Sequence, residues 1–407
     1  MAAKSDLENL KVLDRKLFKI GKRIDILNKI NWGKESKDIF LNSWRKRSHT
    51  LPKIEYPKYK FTEDKEGLQY IISKIDSRHP LGKIVKETAE SYLTSLRMVE
   101  AAGTKAFMKY STKLYGLPTD KLGKGNDTTL KAARKFLKTV GKFKLANLMP
   151  PEDVCILPEY VVNKIKSQSK RTFADRDIKV ITSNQLSAKA SAGANRISVR
   201  SSTCFAPHDV DQLIQHELLV HTLTLQNGRI QRLKTLGLSS PRTTCTQEGL
   251  AVFAEFITNS IDISRLRRIS SRVQAIQMGI EGADFIDLFR YFLKLGQSEE
   301  ESFHSASRVF RGGDVRGKIV FTKDIAYLRG FIEVHHFFVN SFRNEMFSYL
   351  EYLLAGRMKT DDVAELAPYF VSKILKEPHY KPDWILNRST LLAFLLSSSV
   401  MNNLGVR

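Results

Sequence analysis

Cysteine is scarce in this 407-residue sequence. Cys155, Cys204 and Cys245 are too few and too widely spaced for a zinc ribbon or a disulfide framework, so reduced thiols and a cytoplasmic location are expected. Long apolar runs are missing too. The block at 391–396 falls far short of the roughly 20 residues a membrane helix needs, and Lys4, Asp6 and Glu8 interrupt the opening segment where a secretory signal would be apolar. No internal repeat or low-complexity tract occurs, and the surroundings of Gly312 and Gly313 match neither a phosphate loop nor a dinucleotide fingerprint.

Acid is in short supply: 43 Asp and Glu face 66 Lys and Arg, a formal charge of +23. Residues 1–60 carry 16 of the basic residues and 7 of the acidic ones, so an acidic partner feels this end first. Nucleic acid, an anionic membrane surface and an acidic protein tail all satisfy that attraction. No cysteine-histidine finger or aromatic RNA-recognition motif accompanies the charge, which leaves a nucleic-acid-binding regulator as the secondary reading. Hydrophobic residues make up 42% of the chain, with 23 Phe and 13 Tyr, enough for a substantial folded core.

Helical periodicity dominates. It covers residues 7–31, 82–114 up to a Gly116/Pro118 stop, 119–148, 262–279, 281–295, 324–356 with an interruption at Gly330, and 386–399. Pro52 and Pro57 mark a linker or extended strap, and 311–317 reads as a flexible break. The alternation at 196–201 predicts a strand beside the next helix, offering an edge to an extended peptide. Residues 1–80 are expected to be a basic extension and linker, and 81–407 one catalytic domain with a helical subregion at 81–170.

The chemistry concentrates in HELLVH at 216–221. Two imidazoles and a later carboxylate form an open zinc-binding set, and Glu217 stands where a general base is needed. Histidines four apart lie about 40° apart on an ideal helix, whereas His216 and His221, five apart, would be separated by about 140°. Sharing one ion therefore requires a local π-widening. Taken alone, the six residues fit an ordinary helix carrying a polar pair equally well. Glu248, opening a second apolar helix after Gly237 and Pro241 let the chain turn back, favours the metal reading, although an acid at a helix start also has the macrodipole to explain it. Cys245 and His208 are alternative ligands, and Glu255, seven residues past Glu248, either orients a ligand histidine or pairs with another core group.

HELLVH at 216–221, TQEGLAVFAEF at 246–256 and RVFRGG at 308–313 resemble the QEGLA-motif metallopeptidases, a domain-of-unknown-function family (number 1704) that includes eukaryotic tubulin tyrosine carboxypeptidases and bacterial relatives. The likeness extends over most of residues 80–400. It implies zinc ligation by His216, His221 and Glu248, catalysis by Glu217, and an α+β, predominantly helical zincin-like fold with a small sheet and an HExxxH helix. Leu219 and Val220 are bulkier than the glycine and threonine some members carry there, a departure that bears on substrate preference. A carboxypeptidase must also grip a terminal carboxylate. Arg308 and Arg311, supplemented by Lys323 and Tyr327, are the candidates, and an acidic or aromatic C-terminal tail is the expected substrate.

Overall fold

The computed structural model describes residues 2–123, 125–143, 154–184, 186 and 188–403, and is mostly helical with one three-stranded sheet. The first helix, Ala2–Gly21, turns Leu13, Leu17 and Ile20 inward, the i, i+4, i+7 spacing of one helical face. These side chains join the same core as the helix Pro80–Glu100, and buried Asp14 accepts hydrogen bonds from the backbone N–H groups of Lys234 and Thr235 at 2.7 and 2.8 Å. The N-terminal segment is thus packed into the main body rather than appended to it. The strap at 52–60 forms neither helix nor strand, in keeping with its prolines, and Tyr56 donates to the Phe310 carbonyl at 3.0 Å.

Several helices are shorter than their periodicity suggests. The expected helix at 82–114 is two, Pro80–Glu100 and Lys105–Tyr115, divided at Gly103, whose φ is +79°. The lysine-rich one spans Thr129–Val140, and residues 144–148 of the expectation lie outside the described residues.

The sheet runs β1 (Lys179–Ser183), β3 (Arg196–Arg200), β2 (Ala190–Ala192), with β1 parallel and β2 antiparallel to β3. Ile197 and Val199 of β3 point inward with Val180 and Ala190, while Arg196, Ser198 and Arg200 take the other face. The strand expected at 196–201 is present, but it is central, so β2 and not β3 supplies the edge nearest the histidines. Behind the sheet, one continuous helical run spans Pro207–Leu213, Ile214–Thr222 and Leu223–Ile230.

A second helix, Thr244–Ile257, lies against a third, Ile325–Arg343, backbone to backbone. A Cβ on Gly249 would fall 2.0 Å from the Gly330 carbonyl carbon, and one on Gly330 would fall 2.0 Å from the Cys245 oxygen. Gly330 is therefore a point of close approach and not an interruption, since its helix continues through it. Gly249→Ala is expected to destabilise the fold by about 3 kcal/mol, because backbone cannot retreat as a flexible side chain can. Urea unfolding measures the loss, and a midpoint unchanged from wild type would show that the two helices are not locked at this crossing.

The expectation of reduced thiols fails at two of the three cysteines. Cys155 and Cys204 are joined as a disulfide, tying the segment before Pro158 to the loop leading into the histidine helix, and only Cys245 is free. Spacing concealed the pair because the backbone bridge between Ile156 and Phe205, which aligns the two loops, is a tertiary contact. Among the described residues, no helix is long and apolar enough to cross a membrane.

Candidate metal centre

The widening required by the five-residue histidine spacing is present: Ile214–Thr222 is π-helical. Its i→i+5 pattern brings His216 and His221 onto one face, with ring centroids 4.7 Å apart and planes nearly perpendicular. Glu248 sits one turn inside its helix, which begins at Thr244, and returns its carboxylate to both rings. Oε2 lies 3.6 Å from Nε2 of His216 and 3.7 Å from Nε2 of His221. One donor atom from each of the three residues lies within 4.8 Å of the others. Cys245 instead contacts Glu333 at 3.4 Å and His208 faces Asp262 at 3.3 Å, so neither alternative ligand joins the cluster.

Behind the triad, His216 and Glu248 each have a partner that fixes their direction, whereas Nδ1 of His221 is buried without a hydrogen-bond partner among the described residues. Glu255, two helical turns beyond Glu248 and fully buried, meets Nδ1 of His216 at 2.6 Å and is held in turn by two 3.1 Å bonds from Arg265. This fixes the tautomer that points Nε2 of His216 at Glu248. Lys323 donates to the other oxygen of Glu248 at 2.7 Å. Lys323, expected from the sequence to supplement substrate recognition, is a partner of the Glu248 carboxylate.

The electrostatics follow from these contacts. Burial would raise Glu248, but Lys323 and the two imidazoles hold it well below the usual carboxylate range. Burial alone would lower His216, yet the Glu248 carboxylate and the hydrogen bond accepted by Glu255 lift it to about 10. His221 moves the other way, depressed by burial despite Glu248. In the absence of a cation His216 keeps a proton, which a metal would displace on binding. Glu217, on the same π-turn and 9% exposed, makes no side-chain hydrogen bond among the described residues.

A family model described as microtubule-associated tyrosine carboxypeptidase matches residues 40–403. The chain belongs to that family. Membership carries carboxypeptidase action on the C-terminal tails of proteins. No individual curated protein matches the chain.

A carboxypeptidase of this family needs a place for a terminal carboxylate, and a cluster of cationic side chains adjoins the triad. Tyr327, its ring stacked 6.4 Å from His216, has Arg265, Arg272 and Lys323 within 5.4 to 5.9 Å of its centroid. Five cations collect around it, and three are spoken for: Lys323 by Glu248, Arg265 by Glu255, and Arg308 by Asp324 through bonds of 2.5 and 2.7 Å. Arg308, offered by the sequence as a carboxylate grip, is thus held by Asp324. Arg272 and Arg311 remain. Arg272 approaches Asp324 only to 3.7 Å, and Arg311 reaches Asn31 at 3.3 Å and lies over the Phe321 ring. Among the described residues, the Nε atoms of both are buried without a hydrogen-bond partner. Burial, reinforced by the charge of Arg308, pushes Arg272 down to about 9 and Arg311 to about 10.

Arg272 was missed by the sequence reading, although Arg265, Arg268 and Arg272 form an i, i+3, i+7 cationic stripe on the helix Ile263–Glu281. Arg357 was missed too. It donates to the His221 carbonyl at 3.2 Å, and burial lowers it to about 10. Nothing local in the sequence marks it, because it arrives from 136 residues away.

Proposed function

We propose that the chain is a zinc-dependent metallocarboxypeptidase of zincin-like design that trims acidic or aromatic C-terminal tails. The observation that carries this reading is the triangle of two imidazole nitrogens and one carboxylate oxygen. Donors about 2.0–2.1 Å from a tetrahedral zinc lie about 3.4 Å from one another, so the two Glu248 edges at 3.6 and 3.7 Å need only a slight contraction, while the imidazole–imidazole edge lies within 4.8 Å. The donor set, His, His and Glu, is that of catalytic rather than structural zinc sites.

Zinc, when bound, supplies Lewis acidity towards a carbonyl and a lowered pKa for water. The protein's own groups supply the rest. Glu217, unengaged among the described residues, accepts a proton from the attacking water and returns one to the leaving amine. Arg272 and Arg311 take the terminal carboxylate, with the Tyr327 hydroxyl beside them, and Arg308 keeps Asp324 from neutralising them fully. Lys323 and Glu255 aim two of the three ligands. The nucleic-acid reading rests on net charge alone. A microtubule-associated role implies the cytoplasm, a reducing compartment in which the Cys155–Cys204 bond is expected to open.

Incubating the protein with a library of C-terminal peptides and reading products by mass spectrometry tests the proposal. The expected products lack residues from the C-terminus only, production stops with a chelator, and zinc restores it. Equal cutting of peptides whose terminal carboxylate is amidated would refute exopeptidase action, and chelator-resistant cutting would refute the metal.

A further inference from the structure

The outer face of the sheet carries an arrangement that costs stability and has no role in the site described above. Lys179 of β1 and Arg196 of β3 are paired directly across adjacent strands. Like charges in that register repel. Both residues are exposed, and neither forms an ion pair with a described carboxylate. They border an open cavity of about 550 Å³ whose walls also include Ser191, Ser198 and Asn195, with Asp177 as its one acid. Two cations against one acid, with hydroxyl and amide donors around them, suit carboxylates.

This cavity is fastened to the catalytic helix. Thr222, the residue after His221, donates to the Gly193 carbonyl at 3.0 Å, and Gln226 donates to the Ala194 carbonyl at 2.7 Å. Asn195 accepts from Arg229 at 2.6 Å. The turn that forms one wall is therefore placed by the same helix that places the histidines.

Among the described residues, no strand pairs with the far edge of β2. Arg200 N–H bonds Lys189 and Gly193 N–H bonds Arg196, at 2.8 and 2.7 Å, which makes 189 and 193 the positions bonded to β3. By the antiparallel alternation, Ala190 and Ala192 turn their N–H and C=O groups away from β3. A peptide added along this edge directs alternate side chains to the face that bears Ser191.

We propose that this outer face is an exosite for glutamate side chains of an acidic peptide, lying upstream of the bond to be cut. The inference rests on the proposed carboxypeptidase function for its consequence in turnover, while the binding itself stands independently. Charge complementarity selects the acidic peptide, and the open β2 edge selects an extended chain over a folded polyanion.

The test compares wild type with Lys179→Glu/Arg196→Glu and with the milder Lys179→Gln/Arg196→Gln in the full-length protein. Substrates are a long glutamate-rich peptide and a short peptide with the same terminal residues. KM for the long peptide is expected to rise about tenfold in the charge-reversed protein and less in the glutamine variant, with the short peptide turned over as before. Fluorescence anisotropy of the labelled long peptide reads the same loss without turnover. If neither peptide is cut by wild type, the carboxypeptidase reading fails while the anisotropy still decides the exosite. Unchanged anisotropy in both variants would overturn the exosite. So would binding of a single-stranded RNA of equal charge as tight as that of the peptide and lost alike in the variants, since the face would then recognise charge without regard to chain.

Discussion

Glu217→Gln is expected to retain one equivalent of zinc and to lower kcat by roughly 10³-fold, within the range attributed to a positioned general base. The amide matches the carboxylate in shape but cannot accept the proton. The change should leave the fold intact, because the Glu217 side chain makes no hydrogen bond among the described residues and its π-turn is held by backbone and by the flanking apolar side chains. Metal analysis and steady-state kinetics on one preparation read both parts. A variant with kcat near wild type would remove Glu217 from the chemistry, and one that lost zinc as well would make its role structural.

Replacing either arginine that lacks a carboxylate of its own should separate binding from stability. Arg311→Met removes a buried cation whose nearest polar partner is Asn31, so the fold loses little and sheds a desolvation cost. A charge-assisted grip on a terminal carboxylate is worth about 1.5–3 kcal/mol, and kcat/KM should fall roughly 10- to 100-fold. Arg272→Met is expected to behave alike. Arg308→Met should do the opposite in kind: Asp324 loses its two short bonds, and unfolding free energy drops by about 3–5 kcal/mol. Thermal denaturation paired with kinetics on free-acid and amidated peptides distinguishes the cases. If Arg311→Met and Arg272→Met keep wild-type kcat/KM, the terminal carboxylate is bound elsewhere.

The geometry of the histidine pair was legible in the sequence because spacing itself imposes it. Histidines five apart cannot face one ion from an ideal α-helix, so the requirement of a π-turn followed from the count, and the structure contains one. Glu255 was visible as a second acid on the Glu248 face, but its choice between His216 and another core group depended on a helix packed 39 residues away. The pairing among the cations was not legible. Arg308 and Arg311 are equivalent as letters, and only the position of Asp324 tells the engaged one from the other. The same holds for Gly330, whose value is the absence of a side chain opposite Gly249, and for β3, which alternates identically whether central or at an edge. Residues 1–80 look separable by charge, yet the apolar face of their first helix is what the core contacts.

X-ray absorption at the zinc edge, recorded on the metal-replete protein and on Glu248→Ala, tests the centre most directly. Two imidazole nitrogens and carboxylate or water oxygens at about 2.0–2.1 Å are expected in the wild type, with zinc lost or much more weakly held in the variant. A sulfur neighbour at about 2.3 Å, or a spectrum that Glu248→Ala leaves unchanged, would contradict a centre built from His216, His221 and Glu248.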